Sequence, residues 1–158
     1  MDNILNSMLI NQLPWSLIKR FEFIEFRLFW EERINRSDLI ETFNISVPQA
    51  SGDFSKYQEL AVGNMLYDKK NKYYYPSKDF KPIFTEPSSD QYLLRYHALD
   101  LGIYQHQNSF LGFVPPIGKV PRPWRRVEPE ILKPIILAIR DHKSIEIDYQ
   151  SMSRDERM

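Results

Sequence analysis

Apolar side chains at Leu17, Phe21, Ile24 and Leu28 fall at i, i+4, i+7 and i+11, one face of an α-helix running from about Pro14 to Arg33. Pro14 suits the first turn of that helix. Lys19, Arg20, Glu22, Glu25 and Arg27 lie mostly elsewhere on the wheel, while Phe23, Phe26, Phe29 and Trp30 widen the apolar surface. That width predicts contact with more than one neighbour. A short second helix is predicted after Asn35, a good N-cap, with Asp38 in the first turn where its charge suits the helix dipole. Leu39, Ile40 and Phe43 form its buried side, and Asn44 offers a left-handed exit. A third helix begins at the S-x-x-Q capping box of Ser46 and Gln49, with Pro48 tolerated because first-turn amides lack an intrahelical acceptor. Val47, Ala50, Phe54 and Tyr57 make its apolar stripe. The opposite face carries Pro48, Gln49, Gly52, Ser55, Lys56 and Glu59.

Two β-prone runs follow, Met65-Leu66-Tyr67 and Tyr73-Tyr74-Tyr75, separated by a polar turn in which Asn71 is suited to positive φ. They read as a hairpin with a basic tip. Beyond Pro82 a helix is predicted from Asp90 to Leu101, with Tyr92, Leu93, Tyr96 and Leu99 apolar and Gly102 ending it. A proline-rich strap carrying Lys119, Arg122, Arg125 and Arg126 leads to a further helix from Ile131 to His142. Ser144 to Gln150 alternates Ile145, Ile147 and Tyr149 inward against Glu146, Asp148 and Gln150 outward, the pattern of a half-buried strand.

Helix, helix, short turn, helix, hairpin is the order of a winged helix–turn–helix. A three- to four-residue turn sets the third helix across the second, so its stripe packs inward and its outer face is left free. Such a helix fits the DNA major groove, with its N-terminal residues nearest the base edges. On that face Gln49 can pair bidentately with adenine, Ser46 and Ser55 can reach phosphates or bases, and Lys56 can neutralise a phosphate. Gly52 costs about 1 kcal/mol in a helix interior relative to alanine. It reads either as room for close approach by DNA or as a neutral surface glycine. Lys69, Lys70 and Lys72 read either as contacts to flanking phosphates or as a solvated turn.

Composition changes this picture little. The 158 residues are 42% hydrophobic and 27% charged, enough for a packed core. Basic and acidic residues balance at 21 each, so net charge lends no support to polyanion binding. Residues 31–80 hold seven basic and eight acidic side chains. A DNA-binding reading therefore requires that charges segregate by face, that a dimer doubles the contacts, or both. Cysteine is absent, which excludes disulfides, thiolate metal sites and cysteine nucleophiles. No apolar run approaches the roughly 18 residues of a membrane span, and the expected setting is the cytoplasm. His97, His106 and His142 lack metal-ligand spacing, and no glycine-rich phosphate loop or nucleophile motif is present. No catalysis, cofactor or metal is expected. Trp15, Trp30 and Trp124 read as core or interface anchors.

The stretch FEFIEFRLFWEERINRSDLIETFNISVPQASGDFSKYQEL resembles the N-terminal winged-helix domain of WYL-domain transcriptional regulators, in particular the subgroup controlling bacterial phage-defence gene clusters. Tyr67, Tyr73 and Phe80-Lys81-Pro82 continue the match, and Ile145 to Ser153 resembles the opening strand of the WYL domain. Gly52 stands where a larger residue is expected in relatives. The resemblance implies an α+β fold: a winged helix–turn–helix DNA-binding domain at 1–84, a helical and Pro-rich linker at 85–130 with a role in dimerisation, and the helix and first strand of a truncated WYL β-barrel at 131–158. It implies a dimeric repressor that binds an inverted-repeat operator in double-stranded DNA and whose WYL β-barrel senses a ligand through residues expected beyond Met158. Arg36, Lys56, Lys69, Lys70 and Lys72 would then hold phosphates, and Ser46, Pro48, Gln49, Gly52 and Ser55 would face the groove. Tyr92, Tyr96, Tyr104, Phe110 and Phe113 are the expected surplus of exposed apolar side chains for the dimer contact. Two other readings stand beside this one: a protein–protein interaction module, and a short form that heterodimerises with a full-length regulator.

Overall fold

A computed structural model describes residues 12–116 and 126–148. Its elements are α1 (Trp15–Glu31), α2 (Arg36–Phe43), α3 (Val47–Leu60), β1 (Met65–Asp68), β2 (Tyr73–Pro76), α4 (Ser89–Asp100), α5 (His106–Ser109) and α6 (Pro129–Asp141). The helix–helix–helix–hairpin order expected from periodicity is present, and the fold is mixed α+β.

Helix α1 is the axis on which everything else packs. On one side Phe21, Phe23, Ile24 and Leu28 join Ile34, Leu39, Ala50, Phe54, Tyr57, Ala61 and Met65 in the main core. On the other, Phe26 and Trp30 meet Tyr92, Tyr96, Leu111 and Ile136 in a second core. Because neighbours enclose it on more than one side, as the width of its apolar surface predicts, α1 buries Arg20, Glu25, Arg27 and Glu31 as well. Charges removed from water must be paired or hydrogen-bonded. Each of these is.

The helix–turn–helix is set by its caps. Asn35 accepts from the Asp38 amide while Asp38 accepts from the Asn35 amide, a reciprocal box around the start of α2. Asn44 leaves α2 in the left-handed region (φ 50°), as expected. At the next helix only half of the expected box forms: Ser46 Oγ accepts from the Gln49 amide at 3.3 Å. Val47, expected in the apolar stripe, is instead 54% exposed. Its place among the inward residues is taken by Asp53. The Arg20 guanidinium donates to both Asp53 oxygens, at 2.6 and 3.2 Å, so α3 is bolted to α1 by a bidentate buried pair.

The hairpin pairs Met65 with Pro76 through Asp68 with Tyr73 in antiparallel register. A single residue, Ile34, adds a third edge by exchanging both backbone hydrogen bonds with Tyr74 (2.9 and 2.7 Å). At the tip, Lys72 rather than Asn71 takes positive φ (60°). The reason is Asp68: its carboxylate accepts from the Lys70 and Asn71 amides and the Asn71 carboxamide, which folds Asn71 back and shifts the left-handed position one residue on.

Past the hairpin the chain returns to α1. Tyr92 stacks on Phe26 (ring centroids 6.0 Å apart, interplanar angle 11°), and Tyr96 is buried in the same core. These two tyrosines are therefore internal and unavailable for a dimer contact, which corrects the expectation; Phe110 and Phe113 are half-buried and Tyr104 is exposed. Just past the end of α4, Gly102 turns the chain with a φ of 71°, which is costly for a residue with a Cβ. At Gly112 the requirement is space: a Cβ there would collide with the Arg27 guanidinium, and the Gly112 and Phe113 amides donate to Glu31 Oε1 at 2.6 and 3.1 Å. Arg27 itself pairs with Glu31 at 2.9 Å and with Asp38 at 3.5 Å. Helix α6, with Pro129 at its first turn and Pro134 inside it, closes on the end of α1 through Arg140, which donates to the Glu31 carbonyl, and Lys133, which pairs with Glu32 at 2.9 Å.

The strand expected over Ser144–Gln150 does not form across residues 144–148, where Ile145 and Ile147 are exposed. An alternating segment becomes a strand only against a pairing edge, and the one sheet among the described residues is the hairpin. Tyr149, Gln150, Lys119, Arg122, Trp124 and Arg125 lie outside the described residues. No helix of the described residues is long and apolar enough to cross a membrane.

Replacing one partner of the Arg20–Asp53 pair strands a buried charge, so Asp53→Ala is expected to lower unfolding free energy in urea by about 3–5 kcal/mol. The double change Arg20→Met, Asp53→Leu is expected to recover most of that loss. A single-variant loss below about 1 kcal/mol would show that the pair does not hold α3 in place.

Candidate nucleic-acid interface

Inward, Ala50, Asp53, Phe54 and Tyr57 fix α3 to the core. Outward, Ser46, Pro48, Gln49, Gly52, Ser55, Lys56 and Glu59 are all exposed, so no part of the described chain covers this face. A Cβ built on Gly52 meets nothing within 4 Å. Two further bonds orient the helix. The Tyr57 hydroxyl donates to Glu25 Oε1 at 3.1 Å and accepts from Asn64 Nδ2 at 3.2 Å. Glu25 also accepts the amides of Ile83, Phe84 and Thr85 at 2.7, 2.8 and 3.0 Å. Three consecutive amides aimed at one carboxylate tie the segment leaving the hairpin to the same point that holds α3. Asn64 completes the tie by donating to the Lys81 carbonyl and accepting from the Lys81 amide.

The hairpin meets α3 through Tyr74, which stacks on Phe54 with centroids 4.4 Å apart and planes 12° from parallel. Lys69, Lys70 and Lys72 are exposed at its tip. Arg36 begins α2, is exposed, and lies close enough to Tyr74 to act on its hydroxyl electrostatically. The structure thus brings α3's outer face, Arg36 and the hairpin into one unit.

Charge is sorted between inside and outside. Asp53 and Glu31 are buried in ion pairs, Asp38 caps α2, and Asp68 is consumed by the hairpin turn, where the Asn71 amide and carboxamide hold its carboxyl below the usual range. Asp53 faces the core and so adds no exposed negative charge to α3. Arg36, Lys69, Lys70 and Lys72 enter no ion pair among the described residues. Of the acidic side chains in residues 31–80, Glu31 and Asp53 are withdrawn from the surface, while Glu32, Glu41, Glu59 and Asp79 remain exposed.

Hydrogen-bonding capacity on the outer face is uneven. The Ser51 hydroxyl donates to the Val47 carbonyl at 2.9 Å, and that of Ser55 to the Ser51 carbonyl at 3.1 Å. Lys56 pairs with Glu59 at 3.1 Å, both solvent-exposed, so the contact is exchangeable. The Gln49 carboxamide makes no hydrogen bond among the described residues, because the returning half of its capping box is absent. Sequence reasoning missed Val47 as a surface residue, Ile34 as the third edge and Glu25 as an anchor. The wheel alone carried the clue to Asp53, which falls on the same side as Ala50, Phe54 and Tyr57.

Three helices, a three-residue turn, and a hairpin packed beside the third helix define a winged helix–turn–helix domain. Residues 16–98 match the model of the BrxR transcriptional regulator winged helix-turn-helix domain, and the chain belongs to that family. It is 38% identical over 146 residues to the DNA-binding transcriptional repressor CapW of Stenotrophomonas maltophilia, covering 92% of this chain and 49% of that protein. It is 40% identical over 139 residues to CapW of Escherichia coli strain KTE188 (88% and 46% covered). To CapW of Pseudomonas aeruginosa it is 38% identical over 142 residues (90% and 48%). The chain spans about half the length of these relatives.

Burial raises the Glu25 carboxyl from 4.5 to about 7, against the opposing pull of its four donors. Folded protein then holds this proton more tightly than unfolded protein, so the group's contribution to stability falls as pH rises from about 4.5 to about 7 and is flat above that. Glu31, also raised by burial, acts in the same sense. Urea midpoints measured across this range are expected to decline for the wild type and to decline less steeply for Glu25→Gln. Identical slopes would show that Glu25 does not titrate in the folded state as its burial requires.

Proposed function

We propose that this chain is the DNA-reading part of a transcriptional repressor, one that docks α3 in the major groove and its hairpin on the flanking backbone. The observation that carries this reading is the outer face of α3, whose residues Ser46, Pro48, Gln49, Gly52, Ser55, Lys56 and Glu59 are exposed while Asp53 on the inner face is bonded to Arg20 of α1. Gln49 would read adenine, Ser46 and Arg36 would meet phosphates at the entry, and Lys56 would exchange its Glu59 partner for a phosphate. Lys69, Lys70 and Lys72 would lie along the backbone. The CapW repressors are named for DNA binding and repression, and a chain alike over nearly its whole length supports the same role here.

The resemblance further implies that the genes controlled belong to a phage-defence cluster, that the protein acts in the cytoplasm as a homodimer on an inverted repeat, and that residues 145–153 open a WYL domain. Ile145 and Ile147 would become the inward side of that first strand once it pairs. For the dimer, Leu94, Leu101, Ile103 and Tyr104 are the exposed apolar side chains of α4 and the loop after it. Light scattering of the chain is expected to give the mass of a dimer; a monomer at all concentrations would remove that part of the reading.

Binding to duplex DNA selected from a random pool should weaken steeply with salt. Gln49→Ala is expected to cost about 1–3 kcal/mol and to relax preference at one base pair, whereas Lys70→Ala should weaken all sequences alike and flatten the salt dependence. Unchanged affinity in both variants would contradict the docking described.

A further inference from the structure

The N-terminal end of α3 is chemically unlike the polar recognition face its sequence suggests. Val47, Ser51 and Ser55 follow one another at four-residue spacing along one edge. Both serine protons are directed into the helix, onto the carbonyls of Val47 and Ser51. Those hydroxyls present only acceptor lone pairs outward while these bonds stand. What projects at the start of the helix is apolar: the Val47 side chain, 54% exposed, and the exposed ring of Pro48. The helix therefore starts with two exposed apolar side chains, followed one turn after Pro48 by open space at Gly52.

The major groove offers one apolar group for such side chains to meet, the 5-methyl of thymine. We propose that Val47, exposed beside Pro48 at the start of α3, is a specificity-determining residue that reads a thymine methyl by apolar contact. This rests on the DNA-binding reading above and assigns its base chemistry. Methyl contact at Val47 and a bidentate Gln49–adenine pair select neighbouring A·T base pairs. The exposure of Val47, a departure from the helical stripe, is what this role needs: an inward valine would reach no base.

The test uses the chain as it stands. A duplex is selected from a random pool, and each thymine is replaced in turn by deoxyuridine, which removes the methyl and keeps the hydrogen-bonding pattern. At one thymine per half-site the wild type is expected to bind deoxyuridine roughly fourfold more weakly, the fold-change that burial of one methyl-sized group corresponds to. Val47→Ala, a change at an exposed site whose fold is checked by circular dichroism, is expected to bind the thymine and deoxyuridine duplexes equally at that position. Val47→Thr, which keeps the shape and exchanges one γ-methyl for a hydroxyl, is expected to show an intermediate ratio. Selection of a sequence with no deoxyuridine-sensitive position, or with sensitivity that persists in Val47→Ala, overturns the assignment to Val47 while leaving DNA binding intact. Failure of the pool to enrich any sequence overturns DNA reading itself, and this assignment with it.

Discussion

Two buried polar contacts decide what α3 is free to do. Arg20 grips Asp53 with two hydrogen bonds, and Glu25 accepts from Tyr57; both partners on α3 lie on one side, and both anchors lie on α1. Apolar packing alone would leave the helix able to roll or slide against its support at modest cost. A bidentate ion pair and a buried hydroxyl–carboxylate bond penalise such motion, since any displacement strands polar groups in a dry interior. The orientation of the outer face thus follows from the chemistry of the inner one.

The same helix serves the rest of the chain. Glu25 collects three amides from the segment leaving the hairpin, and Glu31 collects two from the segment before α6. Within residues 31–38, four separate attachments meet: Arg140 on the Glu31 carbonyl, Lys133 on Glu32, Tyr74 on Ile34, and Arg27 on Asp38. The corner between α1 and α2 therefore joins the downstream helices to the hairpin and the second helix. Gly112 is part of that joint, because its missing side chain is the space the Arg27 guanidinium occupies.

Local signals in the sequence located much of this. Periodicity found α1 to α3, Asn35 and Asn44 marked where α2 begins and ends, and Gly102 marked the end of α4, because caps and left-handed exits depend on residues near in sequence. Pairing at a distance left no such mark. Ile34 is a strand edge only because Tyr74 lies beside it, and Glu25 looks like a surface glutamate until the amides of 83–85 arrive. Tyr92 and Tyr96 read as surplus until Phe26 and Trp30 are seen to claim them. At the candidate interface, the outward positions of Pro48, Gln49, Gly52 and Ser55 followed from the wheel. The exposure of Val47 did not, because the first turn lies beyond the edge of the packing partner. Nor did the inward turn of Asp53, which its charge disguised.

Amide hydrogen exchange of the chain, with and without a duplex selected for binding, reports segment by segment which surface meets DNA. Slowed exchange and shielding concentrated on residues 46–56 and 66–73, with α4 and α6 unaffected, is the pattern expected if the outer face of α3 and the hairpin form the contact. Protection that spares α3 and appears on α4 or α6 instead would contradict the account.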